Sequence, residues 1–484
     1  MRYRSTRGGV RGVSFVEAVM MGLGPDRGLL VPESIPTVSA STLARWKGLA
    51  FDELAFEVIS LYVDREEISA EELRELVRGA YATFRSKDVT PVVELDRSRV
   101  HLLELFHGPT FAFKDVALQF LGRLFELILK KKGGEDHLTI LGATSGDTGS
   151  SAIEGVRGRD SVECFILYPQ NRTSKIQEAQ MATVEDPNVH AIALAGAEFD
   201  DCQKIVKALF ADAQFRDRNA LGAVNSINWA RIVAQIVYYF YAAFRLEAPP
   251  AFSVPTGNFG DVLAGWYATR MGCPCSGLLV ATNANDILAR FFASGTYERP
   301  AAGAVPTLAP SMDICVSSNF ERFVFHCSGD DADVCARLMA DFENAGSFIA
   351  PEPLHVRARA YMRAASVDRD GILRTIRDVH ESAGYVLDPH TACGVKAALD
   401  LKDDLPSDAP IVCLACAHHA KFPDAVRQAV GDDHFAKIPP EPKLQTLLDL
   451  PFRNTVLANS ATAVKDFIDA TMARRRANKK LNKI

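Results

Sequence analysis

The chain has 484 residues, with 48% apolar and 24% charged side chains, a balance too apolar for disorder and ample for a sizeable core. Its 54 Lys and Arg against 60 Asp and Glu leave a net charge of −6, which argues against nucleic acid as a main partner, since phosphate backbones call for a basic surface. The longest apolar stretch, residues 232–244, is broken by Gln235 and fenced by Arg231 and Arg245. It falls short of the ~20 residues that span a bilayer and is predicted to be a buried helix, so no membrane partner is expected.

In chain order, the basic start Met1-Arg2-Tyr3-Arg4-Ser5-Thr6-Arg7 has no apolar segment behind it, and no secretory signal is expected. Residues 51–61 and 70–84 are acidic helical patches, and the first 90 or so residues hold little that reads as strand. After Pro91 a beat sets in of short apolar run, glycine-containing loop and amphipathic helix. Residues 100–106 lead through His107-Gly108-Pro109-Thr110 to a helix with Val116, Phe120, Leu124, Leu127 and Ile128 on its apolar face, ending at Gly133-Gly134. Residues 138–141 lead to Thr144-Ser145-Gly146-Asp147-Thr148-Gly149 and a further helix. Residues 165–168, 189–194 and 222–224 repeat the beat. Residues 252–254 precede Pro255-Thr256-Gly257-Asn258-Phe259-Gly260 and a helix stopped by Gly272, and 278–281 and 411–414 are later runs. Strands alternating with helices in this way predict an α/β fold whose parallel sheet is covered on both faces. Residues 403–410, with Pro406, read as a surface loop. The basic end, with Arg474, Arg475, Arg476, Lys479, Lys480 and Lys483, reads as a solvated tail.

The ten scattered cysteines do not suggest a disulfide framework. The pairs Cys273-Pro274-Cys275 and Cys413-Leu414-Ala415-Cys416 lack a second pair at zinc-like spacing, so they read as buried, reduced thiols and no metal is expected. The phosphate-loop, dinucleotide and metalloprotease fingerprints are missing. Three strand-to-helix loops and one lysine remain. In Gly257-Asn258-Phe259-Gly260-Asp261, small residues would let backbone N–H groups reach an anion at a helix start; a plain turn capped by Asp261 reads equally well. Thr144, Ser145 and Thr148 add hydroxyls to a similar loop, suited to a carboxylate or to simple capping. Lys114 follows Phe111-Ala112-Phe113 and opens a helix, where the dipole and apolar neighbours both disfavour its charge. A neutral amine there suits a Schiff-base lysine, and a surface lysine paired with Asp115 is the alternative.

The segment Glu104-Leu105-Phe106-His107-Gly108-Pro109-Thr110-Phe111-Ala112-Phe113-Lys114-Asp115 resembles the cofactor-lysine segment of the threonine synthase family, within the tryptophan-synthase-β-like enzymes of fold type II. Ser5-Thr6-Arg7-Gly8-Gly9, residues 144–149, Asn225-Ser226-Ile227-Asn228-Trp229, residues 255–261, Ser317-Ser318-Asn319-Phe320-Glu321-Arg322 and Asp388-Pro389-His390-Thr391 are similar to further landmarks of that family, in the same order.

The resemblance implies pyridoxal 5'-phosphate as cofactor and a two-lobed α/β fold of parallel and mixed sheets flanked by helices. It also implies a helical N-terminal region at 1–94, a catalytic region at 95–430 with a smaller lobe of about 133–250 inserted in the larger, and an extension at 431–484. Lys114 would carry the Schiff base and move protons. Gly257, Asn258, Phe259, Gly260 and Asp261 would hold the cofactor phosphate, with Asp147 beside the phenolic oxygen. Thr144, Ser145 and Thr148 would take the substrate carboxylate; Asn225, Ser226 and Arg231 its phosphate. For Arg231 a helix-capping role is the alternative; Arg322 and Lys421 read as site residues or as surface charges. The family's Thr-Ala-His-Pro-Ala-Lys-Phe appears as Cys416-Ala417-His418-His419-Ala420-Lys421-Phe422, placing a thiol, a weaker hydrogen-bonding group, where a threonine hydroxyl faces the pyridine nitrogen. The implied reaction converts O-phospho-L-homoserine and water to L-threonine and phosphate. A phospholyase releasing a 2-oxo acid and ammonia is the second reading, and a non-catalytic ligand-binding protein the third. The family start at residue 3 disfavours a plastid transit segment; a cytoplasmic place and a monomer or homodimer are the expectations.

Overall fold

A computed structural model describes residues 1–95, 99–133, 137–222 and 224–481, the side chains of 478–481 excepted. Gly134, Ala223, Lys483 and the side chains of Lys479 and Lys480, named above, lie outside the described residues. The chain separates into two compact units, Met1–Phe120 with Ser226–Pro440, and Leu121–Asn225 with Glu441–Ile484.

The first unit is built on a six-stranded sheet among the described residues. Its order is Met362–Ser366, Gly277–Thr282, Ala251–Pro255, Ile411–Ala415, Val100–Glu104, Val92–Glu94, with every neighbouring pair parallel but the last. The inner strands Ala251–Pro255 and Ile411–Ala415 are buried at every residue, as a parallel sheet covered on both faces requires. The helix predicted from residues 232–244 is Trp229–Ala243, buried along its whole length. Burying each of its large apolar side chains contributes about 1.5–3 kcal/mol.

The N-terminal region carries the helices Phe15–Met21, Ala40–Trp46, Phe51–Ser60 and Ala70–Tyr81. Ser14 and Ser69 start two of them with reciprocal capping by Glu17 and Glu72. Phe51 packs edge-on against Tyr81 and Tyr241, with ring centroids 4.9 and 5.2 Å apart. The same region also holds a small antiparallel sheet of Tyr3–Ser5, Arg11–Val13 and Leu30–Pro32, strands too short to leave a two-residue periodicity in the sequence.

The second unit holds an all-parallel sheet of five strands among the described residues, ordered Thr455–Ala458, Val189–Ala195, Val162–Pro169, Leu138–Ala143, Leu221–Gly222. The C-terminal end differs from the solvated tail expected of it. It forms the helix Ala461–Leu481, which buries Val464, Ile468 and Met472 in the same apolar cluster as Phe165, Leu194 and Ile205. Arg475 pairs with the buried Glu163, and Arg476 donates to the carbonyl of Arg218. Among the described residues no helix is long and apolar enough to cross a membrane.

Candidate active site

Lys114 is set by a backbone seam at the C-terminal ends of two parallel strands, where open α/β sheets place their ligands. Beyond Val100–Glu104 and Ile411–Ala415, the Leu105 N–H donates to the Ala415 carbonyl (3.0 Å), the Phe113 N–H to the Cys416 carbonyl (2.8 Å) and the His418 N–H to the Phe111 carbonyl (3.1 Å). Phe111 takes a left-handed φ of 60°, which turns the chain inward. Both the N–H and the hydroxyl of Thr110 donate to the Asp115 carboxylate at 2.7 Å, and Lys421 Nζ donates to the Thr110 carbonyl at 2.9 Å. Asp115 and Lys421 are both fully buried. Lys114 is the first residue of the helix Lys114–Lys131, is itself buried, and has Nζ 4.5 Å from the centroid of the Phe113 ring. Lys114 is therefore not a surface lysine, and Lys421 is not a surface charge.

The turn after Ala251–Pro255 presents a bare helix end. Gly260–Met271 begins at Phe259, whose φ of 62° is left-handed, and no side chain caps it. A Cβ at Gly257 would stand 3.0 Å from Ile314 Cγ1 and 3.2 Å from both Met312 Cα and the Ser311 carbonyl oxygen, so glycine is needed for close approach. Ser317 Oγ donates to the Gly257 carbonyl (2.5 Å), Ser318 Oγ to Asn258 Oδ1 (3.0 Å), and the Asn319 N–H and Nδ2 to the Asn258 carbonyl (3.0 and 3.1 Å).

The Asp261 side chain faces away from a capping role. Its Oδ1 accepts from Tyr238 (2.5 Å) and Tyr239 (2.8 Å), and Oδ2 is buried with no hydrogen-bond partner among the described residues. Burial pushes this carboxyl up to about 6, while the two tyrosines and the positive charge of Lys114 pull it down. A carboxyl that binds its proton more tightly folded than unfolded favours the fold below its unfolded value near 4 and loses that contribution as pH rises through about 6. Asp261→Asn keeps an acceptor for both tyrosines without the charge. It is expected to stabilise the cofactor-free protein by on the order of 3 kcal/mol at pH 8 and by clearly less at pH 5. Thermal melts at the two pH values check this, and an equal gain at both would contradict it.

Arg231 lies in the first turn of Trp229–Ala243, but the cap there is Asn228, whose Oδ1 accepts from the Ala230 N–H at 3.1 Å. A cation at this positive helix end is unfavourable in itself. Burial pulls the guanidinium down to about 10, so it stays charged at neutral pH. Ser226 Oγ meets Ser318 Oγ at 3.0 Å, and its carbonyl accepts from Asn319 Nδ2 at 3.1 Å. Arg322 is no surface charge: fully buried, it donates to the carbonyls of Leu30 (3.0 Å) and Ile227 (2.7 Å) and to Asn319 Oδ1 (2.5 Å). Cys416 is buried, with Sγ 3.6 Å from the Leu414 carbonyl oxygen.

In the second unit, Thr144 Oγ1 accepts from the N–H groups of Gly146 and Gly149, both at 2.9 Å, so the hydroxyl does shape its own loop. Ser145 and Thr148 are partly exposed, as is Asn225 to a greater degree. Asp147 is buried and accepts from Gln177 Nε2 at 2.8 Å. Gln177 carries no sequence signal of its own, since it sits in a helix of ordinary composition.

The first unit's groups fit pyridoxal phosphate: a buried lysine at a helix start and an uncapped helix N-terminus with a glycine cradle. Family profiles described as "Threonine synthase N terminus", "Pyridoxal-phosphate dependent enzyme" and "Threonine synthase, C-terminal" match residues 2–81, 85–417 and 391–468. The threonine synthase of Schizosaccharomyces pombe is 47% identical over 461 residues, 89% of each chain. That of Pseudomonas aeruginosa is 45% identical over 471 residues, 97% of this chain and 98% of its own. A crystal structure of PLP-bound threonine synthase from Brucella melitensis superposes with a TM-score of 0.91 at 43% identity, covering 97% of this chain and 99% of that one. The chain belongs to the threonine synthase family of pyridoxal-phosphate-dependent enzymes.

Proposed function

We propose that this chain converts O-phospho-L-homoserine and water to L-threonine and phosphate, with pyridoxal 5'-phosphate as its cofactor. The observation that carries the reading is the near-full-length similarity to threonine synthases, in a chain whose Lys114 is buried at the start of a helix. When bound, the cofactor supplies an electron sink for negative charge developing on the substrate.

The chain's own residues do the rest. Lys114 Nζ holds the cofactor at rest and, once released, takes the proton from the substrate α carbon and returns it at the end. The N–H groups at the start of Gly260–Met271 and the turn Gly257, Asn258 and Phe259 receive the cofactor phosphate. Asp261 contributes its backbone there, while its carboxyl, held by Tyr238 and Tyr239, keeps the helix start in place. Arg231, with Asn225 and Ser226, binds the substrate phosphate, a dianion that would repay the burial of a guanidinium. The Thr144 hydroxyl has both lone pairs taken by backbone N–H groups, so its proton is left to donate to a carboxylate, together with Ser145 and Thr148. Asp147, oriented by Gln177, would serve the phenolic oxygen of the cofactor, and Cys416 would serve the pyridine nitrogen. The cytoplasm is the compartment proposed, on the ten scattered cysteines, which suit a reducing environment.

The experiment is to load the protein with pyridoxal phosphate, reduce it with borohydride and map the modified peptide, then assay O-phospho-L-homoserine turnover. Cofactor fixed on Lys114 and threonine as product are expected. Cofactor fixed on Lys114 with 2-oxobutyrate and ammonia as products would replace the reading by the phospholyase one, with Cys416 the first residue to exchange for threonine.

A further inference from the structure

The start of the helix Pro389–Leu401 carries more polar side chains than its capping requires. Asp388 is the cap, accepting from the N–H groups of His390 (2.9 Å) and Thr391 (3.3 Å), and that alone serves the helix. Yet the side chains of His390 and Thr391 also turn back onto Asp388. His390 Nδ1 lies 2.8 Å from Asp388 Oδ1, and the Thr391 hydroxyl donates to Asp388 Oδ2. All three residues are almost wholly buried.

Each of the two side chains then receives a backbone N–H from a distant segment. The Ser311 N–H donates to His390 Nε2 at 3.1 Å. A backbone N–H can only donate, so Nε2 is the acceptor and the ring proton sits on Nδ1, pointing at Asp388. The Cys416 N–H donates to Thr391 Oγ1 at 3.1 Å, the hydroxyl proton being committed to Asp388. The helix needs neither of these bonds.

The two segments so held are the two ends of the candidate cofactor site. The Ser311 carbonyl oxygen and Met312 Cα are the backbone atoms that would stand 3.2 Å from a Cβ at Gly257, so residues 311–317 form the outer wall of the phosphate turn. Ser317 Oγ ties the same segment to the Gly257 carbonyl. Cys416 is the residue that would serve the cofactor's pyridine nitrogen, and its carbonyl accepts from Phe113 N–H, directly before Lys114.

We infer that Asp388, His390 and Thr391 are positioning residues that hold both ends of the cofactor site from one carboxylate: His390 sets the phosphate turn through Ser311, and Thr391 sets Cys416 and the Lys114 segment. The inference rests on the proposed cofactor reading. Losing either acceptor leaves a backbone donor without its partner, a penalty the segment relieves by shifting. The two ends therefore respond differently. His390→Leu loosens the phosphate end, and Thr391→Val, which keeps the shape and removes the acceptor, disturbs the ring end.

The test is equilibrium dialysis of the full chain against pyridoxal phosphate, with the visible absorption of the bound cofactor followed against pH. His390→Leu is expected to weaken cofactor binding by about ten-fold or more with the pH titration of the band unmoved. His390→Gln, which offers both an acceptor and a donor, is expected to recover most of that loss. Thr391→Val is expected to move the pH titration of the band with a smaller change in affinity, and Thr391→Ser to restore it. Variants that melt at lower temperature but bind the cofactor with wild-type affinity and titration would overturn the inference and leave the network a helix cap only. Wild-type protein that takes up no pyridoxal phosphate would overturn the function reading, and this inference with it.

Discussion

Lys114→Ala is expected to lower threonine formation by at least about 10²–10⁴-fold, the range for removing a positioned proton-transfer group, before the lost attachment of the cofactor is counted. The substitution is clean because what orders the segment lies in its neighbours. Thr110 remains bonded to Asp115, Lys421 to the Thr110 carbonyl and Phe113 N–H to the Cys416 carbonyl. Alanine is also a better helix residue at that position and removes a cation from the positive end of the dipole. The variant should therefore keep its fold, with a modest loss of melting temperature because the Lys114 charge no longer offsets the buried Asp261 carboxyl, while losing activity and the borohydride-fixed cofactor. Activity within an order of magnitude of wild type would remove Lys114 from the chemistry.

Gly122→Ala is expected to give the largest loss of stability from a single methyl group. Gly122 lies in Lys114–Lys131 where that helix meets Asp147–Val156, both positions falling within the second unit. A Cβ there would stand 2.6 Å from the Gly155 carbonyl carbon and 3.3 Å from its Cα, and would overlap the carbonyl oxygen. The obstacle is backbone in a helix, so no rotamer change relieves it, and the helices must part. Overpacking of this kind costs typically 1–3 kcal/mol and at a backbone contact at least about 3 kcal/mol. The melting temperature of the second unit, about 150 residues unfolding as a transition of its own, should fall by roughly 6–12 °C. A change within about 2 °C would show that the two helices tolerate separation.

The strand-and-loop rhythm of the sequence carried most of the fold, because inner parallel strands are continuous apolar runs. Residues 252–254 and 411–414 mark Ala251–Pro255 and Ile411–Ala415 closely, and Gly272 ends its helix with a left-handed φ of 106°. The edge strand Met362–Ser366, reading Met-Arg-Ala-Ala-Ser, has no such run, since only one side of it is paired. The basic C-terminal end misled for a different reason. Its arginines look solvated by composition, whereas Val464, Ile468 and Met472 at four-residue spacing already mark a buried helix stripe that carries Arg475 onto Glu163.

Within the candidate site, the loops were legible and their supports were not. Lys114 and the glycine turn stand out because a lysine or bare glycines at a helix start are locally unusual. Tyr238 and Tyr239 are hidden in an apolar run that reads simply as core, and nothing local says that their hydroxyls hold Asp261. Arg322 and Lys421 could not be told from surface charges, because what makes them buried lies far along the chain: the Leu30 and Ile227 carbonyls for one, the Thr110 carbonyl for the other. Capping explains why Asp388 precedes Pro389, but not why His390 and Thr391 follow. Their partners, Ser311 and Cys416, are set by tertiary structure.

The most direct measurement is turnover of O-phospho-L-homoserine in ¹⁸O-labelled water, with both products analysed by mass spectrometry. Expulsion of phosphate by cleavage of the carbon–oxygen bond, followed by addition of water at the β carbon, predicts threonine with one heavy oxygen and phosphate with none. Heavy oxygen in the phosphate with homoserine as the other product, or 2-oxobutyrate and ammonia in place of threonine, would contradict the account.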